Sequence, residues 1–136
     1  MQKLEHIGIA VKNLTEANVV FAKLLGREHY KIEEVESEGV KTSFFDVNGV
    51  KIELLQASRE DSPIAKFIEK RGEGLHHLAF EVEDIHAGIK HYQQQGFQPI
   101  KPEPSKGADN KLICFLHPKS VQGVLVELCQ EISPSK

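Results

Sequence analysis

Several features that would place the chain in a specialised class of protein are missing from the sequence. No apolar run approaches the roughly 20 residues that cross a bilayer, and the start of the chain has no signal-peptide pattern. Seventeen basic against twenty acidic residues give a net charge of -3, which argues against nucleic acid as the main partner. We therefore expect a cytoplasmic protein with neither nucleic acid nor a membrane as its partner.

Common motifs for metal binding, phosphate binding and nucleophilic catalysis are also absent. The two cysteines, Cys114 and Cys129, lie in apolar segments at a spacing that matches no metal motif, so we expect buried, reduced thiols. No glycine-rich phosphate loop stands beside a Rossmann-like unit, and no nucleophile elbow is present. At 136 residues the chain is long enough to bury a core but short for a large two-domain enzyme.

What the sequence does contain is a repeat, with one histidine near the start of each copy and one glutamate near its end. The first copy covers residues 4–55 and the second covers residues 75–129. A repeat that preserves metal-ligand residue types in matching strand positions is hard to explain by folding alone. The candidate ligands of one metal site are therefore His6, Glu53, His77 and Glu127.

The strand pleat puts these four side chains on the sheet face that does not form the main core. His6 shares its face with Gly8 and Ala10, and His77 shares its face with Ala79. These small neighbours leave room for an occupied cavity. The other face is the predicted core, which consists of Ile7, Ile9, Val11, Ile52, Leu54, Leu78, Phe80, Val82, Val124, Val126 and Leu128.

Capping and periodicity predict three helices. One begins after Asn13 and ends at Gly26, and its counterpart in the second copy begins after Asp84 and ends before Gly96. A third begins at Ser62-Pro63 and is followed by a hinge at Gly72–Gly74. After the opening strands, further strands are predicted near His29–Glu34, Thr42–Val47, Lys51–Leu55, Gln98–Pro99, Leu112–Leu116 and Val124–Gln130, with a tight turn at Asn48-Gly49.

The order of these elements predicts an α+β fold. Two tandem βαβββ modules would form a curved, mostly antiparallel sheet cup around a metal site. We expect a single domain over residues 1–136. Module one would cover about 4–56, the connecting helix about 62–71 and module two about 75–130.

This arrangement resembles the vicinal oxygen chelate (glyoxalase / bleomycin resistance / dioxygenase) superfamily over essentially residues 4–130. Within the superfamily the chain is most similar to methylmalonyl-CoA epimerases. The segments that carry the resemblance are Glu53–Leu55, Asp61–Phe67, Gly74–His77, Phe115–Lys119 and Gly123–Leu128.

The resemblance implies one divalent metal ion per chain, held by His6, Glu53, His77 and Glu127. A site with nitrogen and oxygen ligands and open coordination positions suits cobalt, nickel, manganese or zinc. It implies epimerisation of the 2R and 2S forms of methylmalonyl-CoA by proton removal and reprotonation through a metal-stabilised enolate. Glu127 is the first choice as base, and Glu53 is the second acid/base group. The implied partner is an acyl-CoA, and the implied assembly is a homodimer.

Two positions depart from the family pattern. Many epimerases have glutamine where this chain has Glu53, whereas bacterial glyoxalase I enzymes have glutamate. The best-known bacterial epimerases place a second base two or three residues after a Gly-Val pair, but Gly39-Val40 is followed here by Lys41 and Thr42. Thr42 cannot act as that base. The alternative function is a glyoxalase I-type lactoylglutathione lyase or another thiol-hemithioacetal isomerase, and the third is a non-catalytic small-molecule binding or resistance module.

Several other basic side chains are candidates for substrate binding. Lys111 and Lys119 are expected to meet the phosphates of a coenzyme A tail as mobile point charges. His117 either orients a substrate or closes a turn before Pro118. Among the remaining histidines, His76 is predicted to be structural. Three others are predicted to face solvent: His29, His86 and His91.

Overall fold

The computed structural model describes residues 3–132, and this part of the chain divides into two compact units. The first module is residues 6–76. Of the described residues, the second module contains 77–132 together with 3–5. The two modules carry the two copies of the repeat.

The first module is a four-stranded sheet with two helices. Its strands are adjacent in the order β2-β3-β4-β1. The β1–β4 pair is parallel, and the other two pairs are antiparallel. The elements are β1 (Lys3–Ala10), α1 (Leu14–Leu25), β2 (Lys31–Val35), β3 (Val40–Val47), β4 (Val50–Ala57) and α2 (Pro63–Arg71).

Local sequence explains where these elements begin and end. The Asn13 side chain accepts a hydrogen bond from the Glu16 N–H and caps α1 at 3.0 Å. Gly26 ends the helix in the left-handed conformation. Asn48 and Gly49 both have positive φ in the turn between β3 and β4, as a tight hairpin requires.

Each face of this sheet is covered by a different helix. Helix α1 packs on the face that carries Val11, Phe45 and Leu54. Helix α2 places Ile64 against a smaller cluster on the opposite face that includes Ala10 and Leu55. The ligand face of the first module is therefore closed at the end where Ala10 and Leu55 lie.

The second module repeats the same order of strands, β5-β8-β7-β6, with a parallel β5–β8 pair and two antiparallel pairs. Its core lies between α3 and one face of the sheet, where Ile85 and Ile89 pack on Leu116 and Leu128. The elements are β5 (Gly74–Glu81), α3 (Ile85–Gln94), β6 (Ser105–Lys106), β7 (Lys111–Leu116) and β8 (Val126–Glu131).

These elements confirm the predicted α+β fold with two βαβββ modules, and they correct three details. The strand expected at Gln98–Pro99 is wrong, because Pro99 makes only an isolated bridge to Leu116 and the short β6 lies later in the chain. Proline has no N–H to donate to a ladder. Val124, expected in the core, is 41% exposed and lies before β8. Gly74, expected in a hinge, is the first residue of β5.

Spanning a bilayer sets a minimum length and apolar character that can be checked on each helix of residues 3–132. None of them combines the length and the apolar character that such a span needs.

Candidate functional site

In the first module, His6 on β1 and Glu53 on β4 form a buried pair. The parallel register places Gly8 opposite Glu53, so the two functional side chains are diagonal neighbours on one face. His6 Nδ1 lies 3.2 Å from Glu53 Oε2. Their residue exposures are only 5% and 4%, so the pair is nearly removed from bulk solvent.

The second module builds the same pair in the same register. Ala79 on β5 lies opposite Glu127 on β8, in the position that Gly8 occupies in the first module. His77 Nε2 lies 3.0 Å from Glu127 Oε1, and both side chains are buried. Each predicted histidine therefore contacts the glutamate of its own module.

Each glutamate lies between a small residue and an aromatic ring. Phe44 on β3 is opposite Glu53, and Phe115 on β7 is opposite Glu127. The Phe115 ring contacts His77 edge-on, with ring centroids 5.6 Å apart. The small residue leaves space for the carboxylate to turn toward its histidine, and the phenylalanine limits its movement on the other side.

Sequence reasoning missed these phenylalanines. The hairpin before Glu53 has a two-residue turn, whereas a longer connection containing a 3₁₀ helix (Pro118–Val121) separates β7 from β8. The two phenylalanines therefore stand at different distances from their glutamates along the chain. Strand register, which the sequence does not display, brings them into equivalent positions.

A glutamine three residues after each glutamate connects the glutamate strand to the helix that follows the first strand of the same module. Gln56 Oε1 accepts a hydrogen bond from the Leu14 N–H at 2.6 Å. Gln130 Oε1 accepts one from the Ile85 N–H at 2.7 Å. Both donors are the first residues of their helices, whose N–H groups have no partner within the helix. The matching segments Glu-Leu-Leu-Gln and Glu-Leu-Cys-Gln carry this feature.

The geometry of each pair fits a shared divalent cation. Nitrogen and oxygen ligands about 2.1 Å from one ion and at right angles to it are separated by about 3.0 Å. Imidazole nitrogen and carboxylate oxygen are also the donor types that first-row transition metals accept. The separations of 3.2 Å and 3.0 Å are close to this value, so the residues present are suitable metal ligands.

Both cysteines are free and buried, as predicted. Cys129 lies on the ligand face of β8, two residues after Glu127. Burial raises the pKa of its thiol above the usual value, and the nearby charges of Glu127 and Glu5 raise it further. Burial also raises the pKa of Cys114. Both side chains are therefore neutral thiols at neutral pH.

The predicted substrate-binding residues have different environments. Lys119 is exposed, but Lys111 is only 6% exposed, so the expectation of a mobile charge is wrong for Lys111. His117 Nδ1 accepts a hydrogen bond from the Lys119 N–H and caps the short 3₁₀ helix. That bond matches the expectation that His117 closes a turn.

Two further histidines, His76 and His29, show why the sequence alone could not decide which histidines are buried and which face solvent. His76 contacts the Phe67 ring edge-on, in agreement with a structural role. His29 was expected to face solvent, but it is half-buried against Phe45, and its buried Nδ1 has no hydrogen-bond partner within residues 3–132. Its packing is created by contacts between elements that the sequence pattern does not display.

Comparisons with known proteins agree with this architecture. The family model described as the Glyoxalase/Bleomycin resistance protein/Dioxygenase superfamily matches residues 5–115. The ethylmalonyl-CoA/methylmalonyl-CoA epimerase of Cereibacter sphaeroides is 40% identical, with 94% of this chain and 97% of that protein covered. The mitochondrial methylmalonyl-CoA epimerase of Dictyostelium discoideum is 39% identical, with coverages of 93% and 76%.

The chain is also similar in structure to a solved methylmalonyl-CoA epimerase. A variant of the Streptomyces coelicolor methylmalonyl-CoA epimerase, in complex with 2-nitronate-propionyl-CoA, superposes with a TM-score of 0.92 at 32% identity. The superposition covers 98% of this chain and 97% of that one.

Proposed function

Because this chain belongs to the methylmalonyl-CoA epimerase family of the glyoxalase/bleomycin resistance protein/dioxygenase superfamily, we propose that it interconverts the 2R and 2S forms of methylmalonyl-CoA. The observation that carries the proposal is the duplicated buried pair, His6 with Glu53 and His77 with Glu127. A single pair could be a structural contact. Two pairs in equivalent registers are more simply explained by a shared role in catalysis.

We propose that the four residues together hold one divalent ion per chain, with cobalt, nickel, manganese and zinc as the candidates. When bound, the ion would supply Lewis-acid stabilisation for the negative charge that develops on the thioester oxygen. The protein contributes the ligands, fixes their orientation through strand register and keeps them out of bulk solvent.

Glu127 is the proposed base that removes the α-proton of the substrate. Its carboxylate is confined between Ala79 and Phe115, so little reorientation is needed when the proton is transferred. Inversion also requires a proton to be returned on the opposite side of the planar intermediate. Glu53, which has the equivalent position in the first module, is the proposed second acid/base group.

Exchange of the substrate α-proton with solvent deuterium tests this function directly. The wild-type protein, supplied with cobalt, should exchange this proton in both (2R)- and (2S)-methylmalonyl-CoA, as followed by mass spectrometry. Glu127→Gln should slow exchange by at least about a hundredfold, because a general base contributes rate factors of that order. Metal occupancy measured on the same sample separates loss of the base from loss of the ion.

Glu131→Gln is the matched control, because Glu131 is an exposed glutamate on the same strand. It should exchange at the wild-type rate. A wild-type protein that leaves methylmalonyl-CoA unchanged but converts methylglyoxal in the presence of a thiol would contradict the proposal. That result would support the glyoxalase-type function that the glutamate at position 53 favours.

The proposal extends to the binding of the coenzyme A tail and to assembly. Lys119 is exposed, and its backbone N–H donates to His117 Nδ1; its ammonium is the charge that we propose meets a coenzyme A phosphate. We further propose a homodimer, since β2 and β6 are terminal strands in the sheet order of their modules and open strand edges favour association. Two free, buried cysteines support a reducing compartment such as the cytoplasm.

A further inference from the structure

The segment that leads into α2 is tied to a distant turn of the first module through Arg59. Its Nη1 donates a hydrogen bond to the Glu36 carbonyl oxygen, and its Nη2 donates to the Ser37 carbonyl oxygen at 3.5 Å. Both carbonyls belong to a short 3₁₀ helix, Glu36–Glu38, between β2 and β3. Arg59 Nε also donates to Asp61 Oδ1 at 2.7 Å. The guanidinium therefore bridges this turn and the residues just before α2.

Gly39 brings the same turn into direct contact with the start of α2. Gly39 is buried with a φ of +63°, and its carbonyl oxygen accepts a hydrogen bond from the Ser58 N–H at 2.8 Å. A Cβ atom at this position would lie 2.8 Å from the Ser62 Cβ and 2.9 Å from the Arg59 Cζ. These separations are shorter than van der Waals contact between carbon atoms. A side chain at position 39 would therefore displace Arg59 and Ser62 from the turn.

Helix α2 closes one end of the ligand face of the first module. Ser62, which is completely buried, caps α2 with its hydroxyl oxygen. Ile64 in the first turn belongs to the same apolar cluster as Ala10 and Leu55. Leu55 is two residues after Glu53 on the same face of β4, or roughly 7 Å along the strand. The contacts at the start of α2 therefore decide where the wall near Glu53 stands.

The contacts of Arg59 are better suited to orienting α2 than to stabilising the fold. The Arg59 side chain is 44% exposed and the Asp61 side chain is 74% exposed, so water screens their ion pair and it adds little to the free energy of unfolding. A guanidinium is planar and donates hydrogen bonds in several fixed directions. Three acceptors around one such group define the position of the chain that carries it.

We propose that Arg59 is a positioning residue, which holds α2 against the end of the ligand face and thereby raises the affinity of the site for its thioester substrate. This proposal rests on the proposed function. Within residues 3–132 the hydrogen bonds and the ion pair of Arg59 go to Glu36, Ser37 and Asp61, so Arg59 acts on the site through α2. The apolar wall carries no proton to transfer. Its loss weakens binding of the substrate and of the transition state equally, which raises KM and leaves kcat unchanged.

Gly39→Ala and Gly26→Ala form a matched pair of variants, because both glycines have a left-handed backbone, with φ of +63° and +69°. A Cβ atom at position 26 has no neighbour within 4 Å, so Gly26→Ala introduces the backbone strain without the collision. In the α-proton exchange assay with cobalt, Gly39→Ala should raise the KM for methylmalonyl-CoA by at least about fivefold, as the loss of about one hydrogen bond would, and change kcat by less than about twofold. Gly26→Ala should keep the wild-type KM.

Arg59→Gln tests the guanidinium without a change in backbone strain. It should raise KM as Gly39→Ala does, because it removes the fork of donors. Arg59→Lys, which keeps the charge but donates from a single point, should restore part of the affinity. Arg27→Gln is the control, because Arg27 is an exposed arginine that also donates to a backbone carbonyl, that of Asp46, away from α2. It should keep the wild-type KM.

Hydrogen exchange of the α2 amides measures the position of the helix without substrate or turnover. The Ala65 N–H bonds to Ser62 Oγ and the Lys66 N–H bonds to the Ser62 carbonyl oxygen, so both report on the start of α2. Their exchange should be at least about fivefold faster in Gly39→Ala and Arg59→Gln, as the loss of about one hydrogen bond predicts. Gly26→Ala should show the wild-type rate at both amides.

A wild-type KM in Gly39→Ala and Arg59→Gln would overturn the proposal. A lower kcat at wild-type KM, with unchanged exchange of the α2 amides, would also overturn it, because the variants would then differ only in the amount of folded protein. Failure of the proposed function gives a different result. A wild-type protein that is silent in the α-proton exchange assay, while Arg59→Gln speeds amide exchange in α2, would contradict the epimerase and support the role of Arg59 in holding α2.

Discussion

Two adjacent hydroxyl residues of β3, Thr42 and Ser43, have opposite hydrogen-bonding states. Both are 0% exposed. The Ser43 hydroxyl points toward α1 and donates to Asn18 Oδ1 at 2.6 Å. Thr42 Oγ1 on the other face has no partner among the described residues. A buried hydroxyl without a partner lowers stability, because it has lost its hydrogen bonds to water.

Thr42→Val should therefore raise the free energy of unfolding, by about 1 kcal/mol or more, since valine has the same shape without the unsatisfied hydroxyl. Ser43→Ala should lower it by about 1 kcal/mol, because Asn18 loses its donor. Urea unfolding followed by circular dichroism measures both changes. A Thr42→Val protein less stable than wild type would show that the hydroxyl is satisfied in solution, for example by a buried water.

Residue identity predicted the candidate ligands but not all of their surroundings. His6, Glu53, His77 and Glu127 could be found because they repeat at equivalent strand positions. Lys111 could not be recognised as buried, because lysine is usually exposed and its 6% exposure depends on neighbours that the sequence pattern does not display. The residue type showed that Lys111 carries a charge, but only the fold showed that its side chain is buried.

At the scale of secondary-structure elements, each module connects its ligand strand to a helix through one glutamine. Gln56 and Gln130 accept the first helical N–H groups of α1 and α3. The side-chain caps Asn13 and Asp84 satisfy a second N–H in each helix. The start of each helix is therefore held to the strand that carries the glutamate.

Gln130→Ala should lower the free energy of unfolding by about 1–2 kcal/mol, because a part-buried helix N–H loses its acceptor. Gln130→Glu should cost less, since a carboxylate accepts the same bond and interacts favourably with a helix N-terminus. Denaturant unfolding gives the stability change, and faster hydrogen exchange at the Ile85 amide locates it. Equal losses in the two variants would contradict the hydrogen-bond explanation.

The sequence predicted element type better than element boundaries. Helices α1, α2 and α3 start after the predicted capping residues because side-chain capping is a local interaction. The edge strand of the second module was predicted at the wrong residues, because the segment that pairs with β7 depends on where the chain returns to it. Strand β6 has only two residues, Ser105 and Lys106, and no local sequence pattern distinguishes it from the loop before it.

At the scale of the whole molecule, the repeat divides the candidate ligands into two pairs. Each predicted pair offers one imidazole and one carboxylate, and two protein ligands seldom hold a transition metal tightly. The buried Glu5 carboxylate lies beside the first pair, with its ligand atom within 4.8 Å of those of His6 and Glu53. The proposed single site therefore needs both modules. It predicts one ion per chain instead of two equivalent ions.

The protein purified without chelator should hold about one divalent ion per chain, measured by inductively coupled plasma mass spectrometry. His77→Ala and His6→Ala should each abolish occupancy, because either change leaves three of the four proposed ligands. His91→Ala, at an exposed position of α3, is the control and should retain the ion. Chelation should lower the melting temperature, since an ion at a hundred times its dissociation constant stabilises the folded state by about 2.7 kcal/mol.

The stoichiometry separates a shared site from independent pairs. If each pair held its own ion, the wild-type protein would contain two ions and His77→Ala would still contain one through His6 and Glu53. Chelator should then still lower the melting temperature of His77→Ala. With a shared site, the melting temperature of His77→Ala should not respond to chelator, because the variant has no ion to lose. A residual response would contradict the single metal centre even if the wild-type protein were an active epimerase.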